Sequence, residues 1–350
     1  MDRISNLPPP IIESILCLVP IKEAARTSIL SNEWRYRWTK IPKLVFKEDM
    51  FEVHTFRAEL PIMEGSFDEL NQRKWMTKRC KLFYAIYQVL LKHAGPVHEF
   101  SLSMGADVAC VEIDHIIFHL LSKNTLKKLT LDIPWDYRLP LSVFSLHHLT
   151  DLHLNSCELH HQPPFKNNID YIGVDDSTIA NLFERLPVVE SLSIYLWTVK
   201  LFIKDGVPRE LPTTLAHLKY VYVDYMCFIY KYGLNFLALL MRCSPNLEKL
   251  KLQIFNDPMD ESDKYCSYTI EDCSDIWLEH LNELEIKNFS NEKDEMDFVK
   301  LILAKSPVLK KVKLILWEDV DEEEELQITR LLLPSPRASK AVTIILEHVV

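Results

Sequence analysis

The sequence predicts an α/β protein: a short helical head, then a long stack of parallel strands alternating with helices, closed at its C-terminal end. Two observations predict it. Between the prolines of the first forty residues, apolar positions are spaced by one, three and four, as in short amphipathic helices. From residue 97 onward, one six-residue pattern, apolar-x-x-apolar-x-apolar, recurs nine times, as in a repeat architecture. The composition agrees, since 48% hydrophobic and 26% charged residues among 350 suit a folded chain and not a disordered one.

The head begins at Ser5-Asn6-Leu7-Pro8-Pro9-Pro10, followed by Ile11, Ile12, Ile15, Leu16 and Val19. Proline is tolerated in a first helical turn, where its missing N–H would have no partner anyway. The apolar residues form a stripe, and Pro20 ends the helix. A second helix is expected over residues 22–30 and a third over 32–39, with Ser31 as its N-cap. So short a module cannot bury its apolar faces within itself. It must dock, either on the rest of the chain or on a partner.

The repeats run through the body. The template occurs at Val97-x-x-Phe100-x-Leu102, Leu126-x-x-Leu129-x-Leu131, Leu149-x-x-Leu152-x-Leu154, Ile169-x-x-Ile172-x-Val174 and Val189-x-x-Leu192-x-Ile194. It continues at Leu218-x-x-Val221-x-Val223, Leu247-x-x-Leu250-x-Leu252, Leu281-x-x-Leu284-x-Ile286 and Leu309-x-x-Val312-x-Leu314. Successive starts lie 29, 23, 20, 20, 29, 29, 34 and 28 residues apart. Leucine-rich repeats run about 20 to 29 residues, so only one interval falls clearly outside that range. In the third unit Cys157 and Leu159 complete the longer form of the pattern. A lone unit cannot bury its leucines, whereas stacked units share a continuous core with a parallel sheet along one face, a solenoid. Helical periodicity marks connectors at 109–121, 177–186, 234–242 and 295–304, and Pro187, Pro245 and Pro307 stand where a helix stops before the next strand. Residues 70–93 read as a further helix, with Leu82, Ala85, Ile86, Val89 and Leu90 on one side. Residues 51–69 and 259–275 show no clean period and are expected to be irregular.

Several function classes are excluded. Glycine occurs only 6 times and never as G-x-G, which removes dinucleotide fingerprints, phosphate loops and nucleophile elbows. Asp plus Glu at 50 against Lys plus Arg at 40 gives a net charge of −10, unsuited to sequence-independent nucleic-acid binding. The eight cysteines are scattered without a C-x-x-C pair, there is no basic n-region at the start, and no uncharged apolar stretch of about 18 residues occurs. Reduced thiols in a cytoplasmic or nuclear protein are expected, with neither membrane nor nucleic acid among its partners.

The head also carries a resemblance. Leu7-Pro8, the apolar run to Pro20, residues 22–31 and Trp34-Arg35-Tyr36-Arg37-Trp38 resemble an F-box, and more narrowly that of the plant F-box/FBD/leucine-rich-repeat family. Pro9-Pro10 replace positions that are usually polar, and Asn32-Glu33 replaces a usually basic pair. Leu211-Pro212-Thr213-Thr214-Leu215 and Ser244-Pro245-Asn246-Leu247-Glu248-Lys249-Leu250 are similar to recurring phrases of the same family. Residues 278–316, and Leu333-Pro334-Ser335-Pro336-Arg337-Ala338-Ser339, are similar to its FBD region. The resemblance implies an F-box at 2–46, a helical and irregular linker at 47–93, repeats at 94–260 and FBD-like repeats with a cap at 261–350. It further implies a non-catalytic substrate-receptor subunit of an SCF ubiquitin ligase. Such a subunit docks on an SKP-type adaptor, and through it a cullin, while the repeats bind an unidentified target protein. The adaptor contacts implied are Leu7, Pro8, Ile12, Ile15, Leu16, Pro20, Leu30, Ser31 and Trp34. This reading expects Leu7, Leu16 and Trp34 to be open to that partner. A repeat scaffold with a degenerate F-box outside any ligase is the alternative, and an enzyme with an unrecognised site a more remote one.

In each repeat strand the side chains flanking the buried positions point to the opposite face. That row holds Lys128, Thr130 and Asp132, then Asp151, His153 and Asn155, then Tyr171 and Asp175, then Ser191, Ser193 and Tyr195, then Tyr220, Tyr222 and Asp224. Lys249, Lys251 and Gln253, Glu283, Glu285 and Lys287, and Lys311 and Lys313 complete it. Tyrosine brings contact area with a polar handle, so the target-facing candidates are Asp151, His153, Tyr171, Tyr195, Tyr220, Tyr222, Asp224, Lys249 and Lys251. His147, His148, His153, His160 and His161 surround Cys157, but Cys157 takes a core slot and the histidines fall on different faces, so no metal is expected. The acidic run 319–325 reads as a solvated loop and helix start. Trp34 and Trp38, at i and i+4, read as packing aromatics. No nucleophile-base set stands out, and no cofactor is expected.

Overall fold

Side-by-side parallel strands are what the apolar template builds. The computed structural model describes residues 4–51, 67–105, 110–133, 137–155, 157–160, 179–186, 188–196, 207–228, 233–255 and 270–348. The chain divides into two compact units, Met1–Arg138 and Leu139–Val350.

In the first unit, α1 (Pro9–Leu16) and α2 (Ile21–Arg26) form the head, followed by 3₁₀ turns at Thr27–Ile29 and Trp34–Lys40. The sequence led us to expect α-helix across 22–30 and 32–39, and the tighter turns correct that. Thr27 Oγ1 donates to the Ala24 carbonyl at 2.6 Å and Thr39 Oγ1 to the Tyr36 carbonyl at 2.7 Å. Such short-range hydroxyl bonds compete with the i→i−4 ladder and favour three-residue turns. Next come β1 (Lys43–Lys47), α3 (Phe67–Lys92), β2 (Glu99–Ser103), α4 (Val111–Lys123) and β3 (Lys128–Asp132). The helix of α3 takes in 67–69, which the sequence, lacking a clean period there, leads one to expect as irregular. Asn124 ends α4 in the left-handed region at φ 48°, where its N–H reaches the Leu120 and Leu121 carbonyls. The three strands pair in parallel, with Leu44 beside Phe100 beside Leu129 and Phe46 beside Leu102 beside Leu131. Ile41, Leu44 and Phe46 are all buried and obey the same template, so β1 is a repeat strand that the sequence reading had left within the head.

The end of the head is pinned to the segment between α3 and β2. The Thr39 carbonyl accepts the N–H groups of Ala94 and Gly95, and His93 Nε2 lies 2.8 Å from the Ile41 carbonyl. Gly95 is required here, because a Cβ at this position would sit 2.8 Å from the Lys40 carbonyl oxygen.

The second unit holds β4 (Asp151–Asn155), α5 (Ile179–Glu184), β5 (Ser191–Tyr195), β6 (Tyr220–Met226), α6 (Gly233–Cys243) and β7 (Lys249–Ile254). Then follow β8 (Glu283–Phe289), α7 (Lys293–Lys305), β9 (Lys311–Leu316), α8 (Glu322–Leu332) and β10 (Thr343–His348). Strands β4 to β10 pair in sequence order, all parallel. Register aligns equal template positions into one buried column, Leu152, Leu192, Val221, Leu250, Leu284 and Val312, ending at Ile344. Carbonyls hold that register at the strand entrances. The Thr150 oxygen accepts the N–H groups of Glu190 and Ser191, that of Glu190 those of Lys219 and Tyr220, and that of Lys219 those of Glu248 and Lys249. Glu248 and Asn282 repeat the pattern with Asn282–Glu283 and Lys310–Lys311, at 2.7 to 3.2 Å throughout. Pro245 and Pro307 sit second in turns closed by Leu247 N–H on the Ser244 carbonyl and by Leu309 N–H on that of Ser306. Eight of the nine templates are strands in this way, while the one beginning at Ile169 lies outside the described residues.

The acidic run starts a helix, as expected. Asp321 Oδ1 accepts the Glu324 N–H at 2.9 Å, and Glu324 Oε2 accepts the Asp321 N–H in return, a capping box. Strand β10, which the sequence reading did not single out, ends the sheet, and its half-exposed Ile344 and Leu346 continue the buried columns.

Replacing Leu250 by Ala, in the middle of the column, is expected to cost about 2–5 kcal/mol in denaturant unfolding, whereas Lys249→Ala costs at most about 1. A pH effect comes from His93. Burial pushes its imidazole below the usual value of 6.5, against the raising effect of the carbonyl bonds at Ile41 and Gly95. The unfolded chain therefore takes up a proton that the folded one refuses, and stability drops as pH falls through 6.5. Melting temperatures of the wild type and His93→Gln on the two sides of that pH check this. The wild type should lose more on acidification.

Candidate functional site

Two surfaces follow from these elements. In the head, Ile12, Leu16, Ile21, Ala24, Trp34 and Trp38 turn inward. Trp34 is 7% exposed, its Nε1 donates to Ser5 Oγ at 2.6 Å, and its backbone N–H points to Ser31 Oγ at 3.4 Å. Three of the nine implied adaptor residues, Ile12, Leu16 and Trp34, are thus packed inside their own molecule, and the expectation that Leu16 and Trp34 lie open is corrected. The cause is that α1 packs against the Trp34–Lys40 turn, where the buried Ile12 and Leu16, one helical turn apart, and the Trp34 indole are shielded from solvent. Leu7 is half-buried, and Pro8, Ile15, Pro20, Leu30 and Ser31 are exposed.

A second apolar set faces outward. Ile11 and Ile15 lie one turn apart on the open side of α1, and Leu18 and Val19 follow in the turn just past its end. Leu18 is 85% exposed, Ile29 86% and Leu30 68%. Sequence reasoning passed over Leu18 and Ile29, which lie in turns outside α1, where helical periodicity assigns no side; within α1 itself, PPIIESIL is apolar on both sides, which signals two contacts and not one.

The other surface is the polar face of strands β4 to β10. Tyr195 and Asp224 are register partners, as are Ser193 and Tyr222, and Ser191 and Tyr220. Asp151 is half-buried and accepts from Thr150 Oγ1 at 2.7 Å, and His153 is half-buried beside Ser193. Tyr171 lies outside the described residues. Lys249 and Lys251 are paired to Glu283 at 3.1 Å and to Glu285 at 2.7 Å, so neither cation is spare. Lys311 shares Glu283, and Lys313 binds Glu347 at 2.8 Å. The Lys249 ammonium bonded to Glu283 holds that carboxyl below the usual range, with Lys311 adding to the pull. Tyr222 lies under the Lys251 ammonium and donates its hydroxyl to Gln253 Oε1 at 3.0 Å, and burial pushes its phenol well up.

At the C-terminal ends of these strands the alternation breaks. Tyr225 sits at φ 58°, in a register shift of β6, and turns its ring onto Phe255 at 3.8 Å and towards Tyr195 at 4.8 Å. A large side chain in the left-handed region is uncommon, and period-two reasoning has no means of finding it. Beside it, Asp224 accepts the Tyr225 N–H on Oδ1 at 2.8 Å, while burial raises its carboxyl above the usual range. Cys157 is buried with its thiol towards the Asn155 carbonyl, and His147 and His148 are exposed. Among the described residues, no group of three or more His, Cys, Asp or Glu side chains could hold a metal ion.

The F-box family model matches residues 4–46, the head and all but the last residue of β1, and the FBD model matches residues 277–314, which run through β8 and α7 into β9. The chain carries an F-box and an FBD. It is similar end to end to an F-box/FBD/LRR-repeat protein of Arabidopsis thaliana, 26% identical over 96% of this chain and 97% of that one. Two further Arabidopsis thaliana proteins match locally. An FBD-associated F-box protein is 25% identical over 55% of this chain and 43% of its own length, and an F-box/LRR-repeat protein 31% identical over 41% and 24%. The FBD here is one strand-helix-strand unit, and α8 and β10 follow it. No helix among the described residues is long and apolar enough to cross a membrane.

The two apolar sets of the head separate experimentally. Trp34→Ala should cost about 3–5 kcal/mol of unfolding free energy, and Leu30→Ala, on the open side, close to none.

Proposed function

We propose that the protein is a substrate-receptor subunit of an SCF-type ubiquitin ligase, with its head on an SKP-type adaptor and its repeats on a target protein. The observation that carries this is the outward apolar set of an F-box-matching head, Ile11, Ile15, Leu18, Val19, Ile29 and Leu30, flanked by the exposed Pro8, Pro20 and Ser31. Each such side chain, once covered, contributes about 1.5–3 kcal/mol, enough in sum for a specific complex after the entropy of association. Ile12, Leu16 and Trp34 serve this surface from within by fixing the angles of its segments.

The chain's own contribution is proximity. It raises the effective concentration of target lysines near ubiquitin carried by other subunits, which form the bond. The cytoplasm or nucleus is the compartment for this work, and the described cysteines, none of which forms a disulfide, suit a reducing one.

Capture of the intact chain by a purified SKP-type adaptor tests the proposal. Leu18→Asp with Leu30→Asp should abolish retention while circular dichroism stays unchanged, and no retention of the wild type discards the ligase role. A second reading, a scaffold outside any ligase, draws on the exposed Glu33 at a position where this kind of module is usually basic. If Glu33→Lys alone turns a non-binder into a binder, the scaffold reading replaces the first. If both bind, the change should show mainly in the association rate.

A further inference from the structure

The polar face of β6 to β10 is nearly neutral by internal pairing. Lys249 and Lys311 meet Glu283, Lys251 meets Glu285, and Lys313 meets Glu347. Two charges on it stand apart. Asp224 forms no ion pair among the described residues, and its one hydrogen bond there is the Tyr225 N–H on Oδ1. Lys287 forms none either, and acts on Asp224 only from a distance. Gln253 separates them. It is the register partner of Lys287 and follows Leu252, the partner of Val223. Two strand spacings place the opposite charges roughly 10 Å apart in one row.

Their surroundings differ. Asp224 is bordered by Tyr195, its register partner, and by the Tyr225 backbone, whose ring is held between Tyr195 and Phe255. A carboxylate oxygen beside a ring edge and face suits a planar cation, because a guanidinium bonds the one and stacks on the other. Lys287 lies on the open side of Gln253, next to Ile315 of β9. Burial already disfavours the charge on Asp224, so a cation arriving there replaces lost solvation, whereas the paired lysines and glutamates nearby would have to give up existing partners.

We propose that this row reads a target segment in extended form, with an arginine on Asp224 and an acidic side chain on Lys287. The spacing fits residues two apart on one face of such a segment, about 7 Å along the chain and further through their long side chains. The inference rests on the receptor reading and names the chemistry of its target.

The test is selection of a randomised peptide display library on the full chain, in parallel with adaptor capture. The expected result is enrichment of peptides with arginine two to three residues from aspartate or glutamate. Asp224→Asn and Lys287→Gln should each weaken a selected peptide roughly ten- to a hundredfold, the range for losing one charged hydrogen bond. The exchange Asp224→Lys with Lys287→Asp should select the reversed charge order. No enrichment, or peptides whose affinity ignores both substitutions, overturns the inference. Adaptor capture retained in that case leaves the receptor reading standing, whereas adaptor capture lost with peptide selection intact removes the ligase and keeps the binding row.

Discussion

Register is the constraint on which this molecule depends. Parallel strands have evenly spaced, slanted hydrogen bonds and no hairpin to set their alignment, so something else must forbid slippage. Here two devices agree. Equal template positions meet across each pair, as Val221, Leu250, Leu284 and Val312 do, and a slip by one residue would turn every one of them out of the core. At the entrances, a single carbonyl such as that of Lys219 takes two successive N–H groups from the next strand, which fixes where that strand begins. The side chains choose the face and the backbone chooses the starting point.

The same regularity explains what could be read beforehand. Eight of the nine templates announce their strands because three apolar residues at fixed offsets have no other use in a strand that buries one face. Strand β1 obeys the rule at Ile41, Leu44 and Phe46, yet it was claimed by the head, whose own apolar stripe runs close before it. Strand β10 was missed because an end strand is covered on one side only, and its Ala341, Ile344 and Leu346 give a weaker signal. The head was legible as a unit but not in its orientation. Periodicity marks Ile12, Leu16 and Trp34 as apolar and marks Ile11, Ile15 and Leu18 in the same way. Only tertiary packing decides which set is covered. Tyr225 and Phe255 were invisible for another reason: a left-handed residue in a register shift cancels the alternation from which side-chain direction is inferred.

The two surfaces are built on opposite principles. The head offers aliphatic side chains with no polar group to satisfy, suited to a partner that covers them as a core would. The sheet face offers tyrosines, hydroxyls and charges already matched to one another. On the receptor reading proposed above, recognition there depends on the few charges left without an ion pair among the described residues, since displacing a settled ion pair gains little. On the same reading, an apolar attachment through the head and a discriminating one through the sheet face is a division that these side-chain chemistries support.

The doubled carbonyl bonds have a genealogical consequence. Because each entrance is shaped by the strand before it, the chain can lengthen or shorten only by complete modules, and a partial one would leave an acceptor of the Lys219 or Glu248 kind facing nothing. The excursions leading from one strand to the next differ in length by more than ten residues in this sequence. Novelty in such a lineage should therefore accumulate in the passages between ribs, while the ribs themselves are copied whole or lost whole.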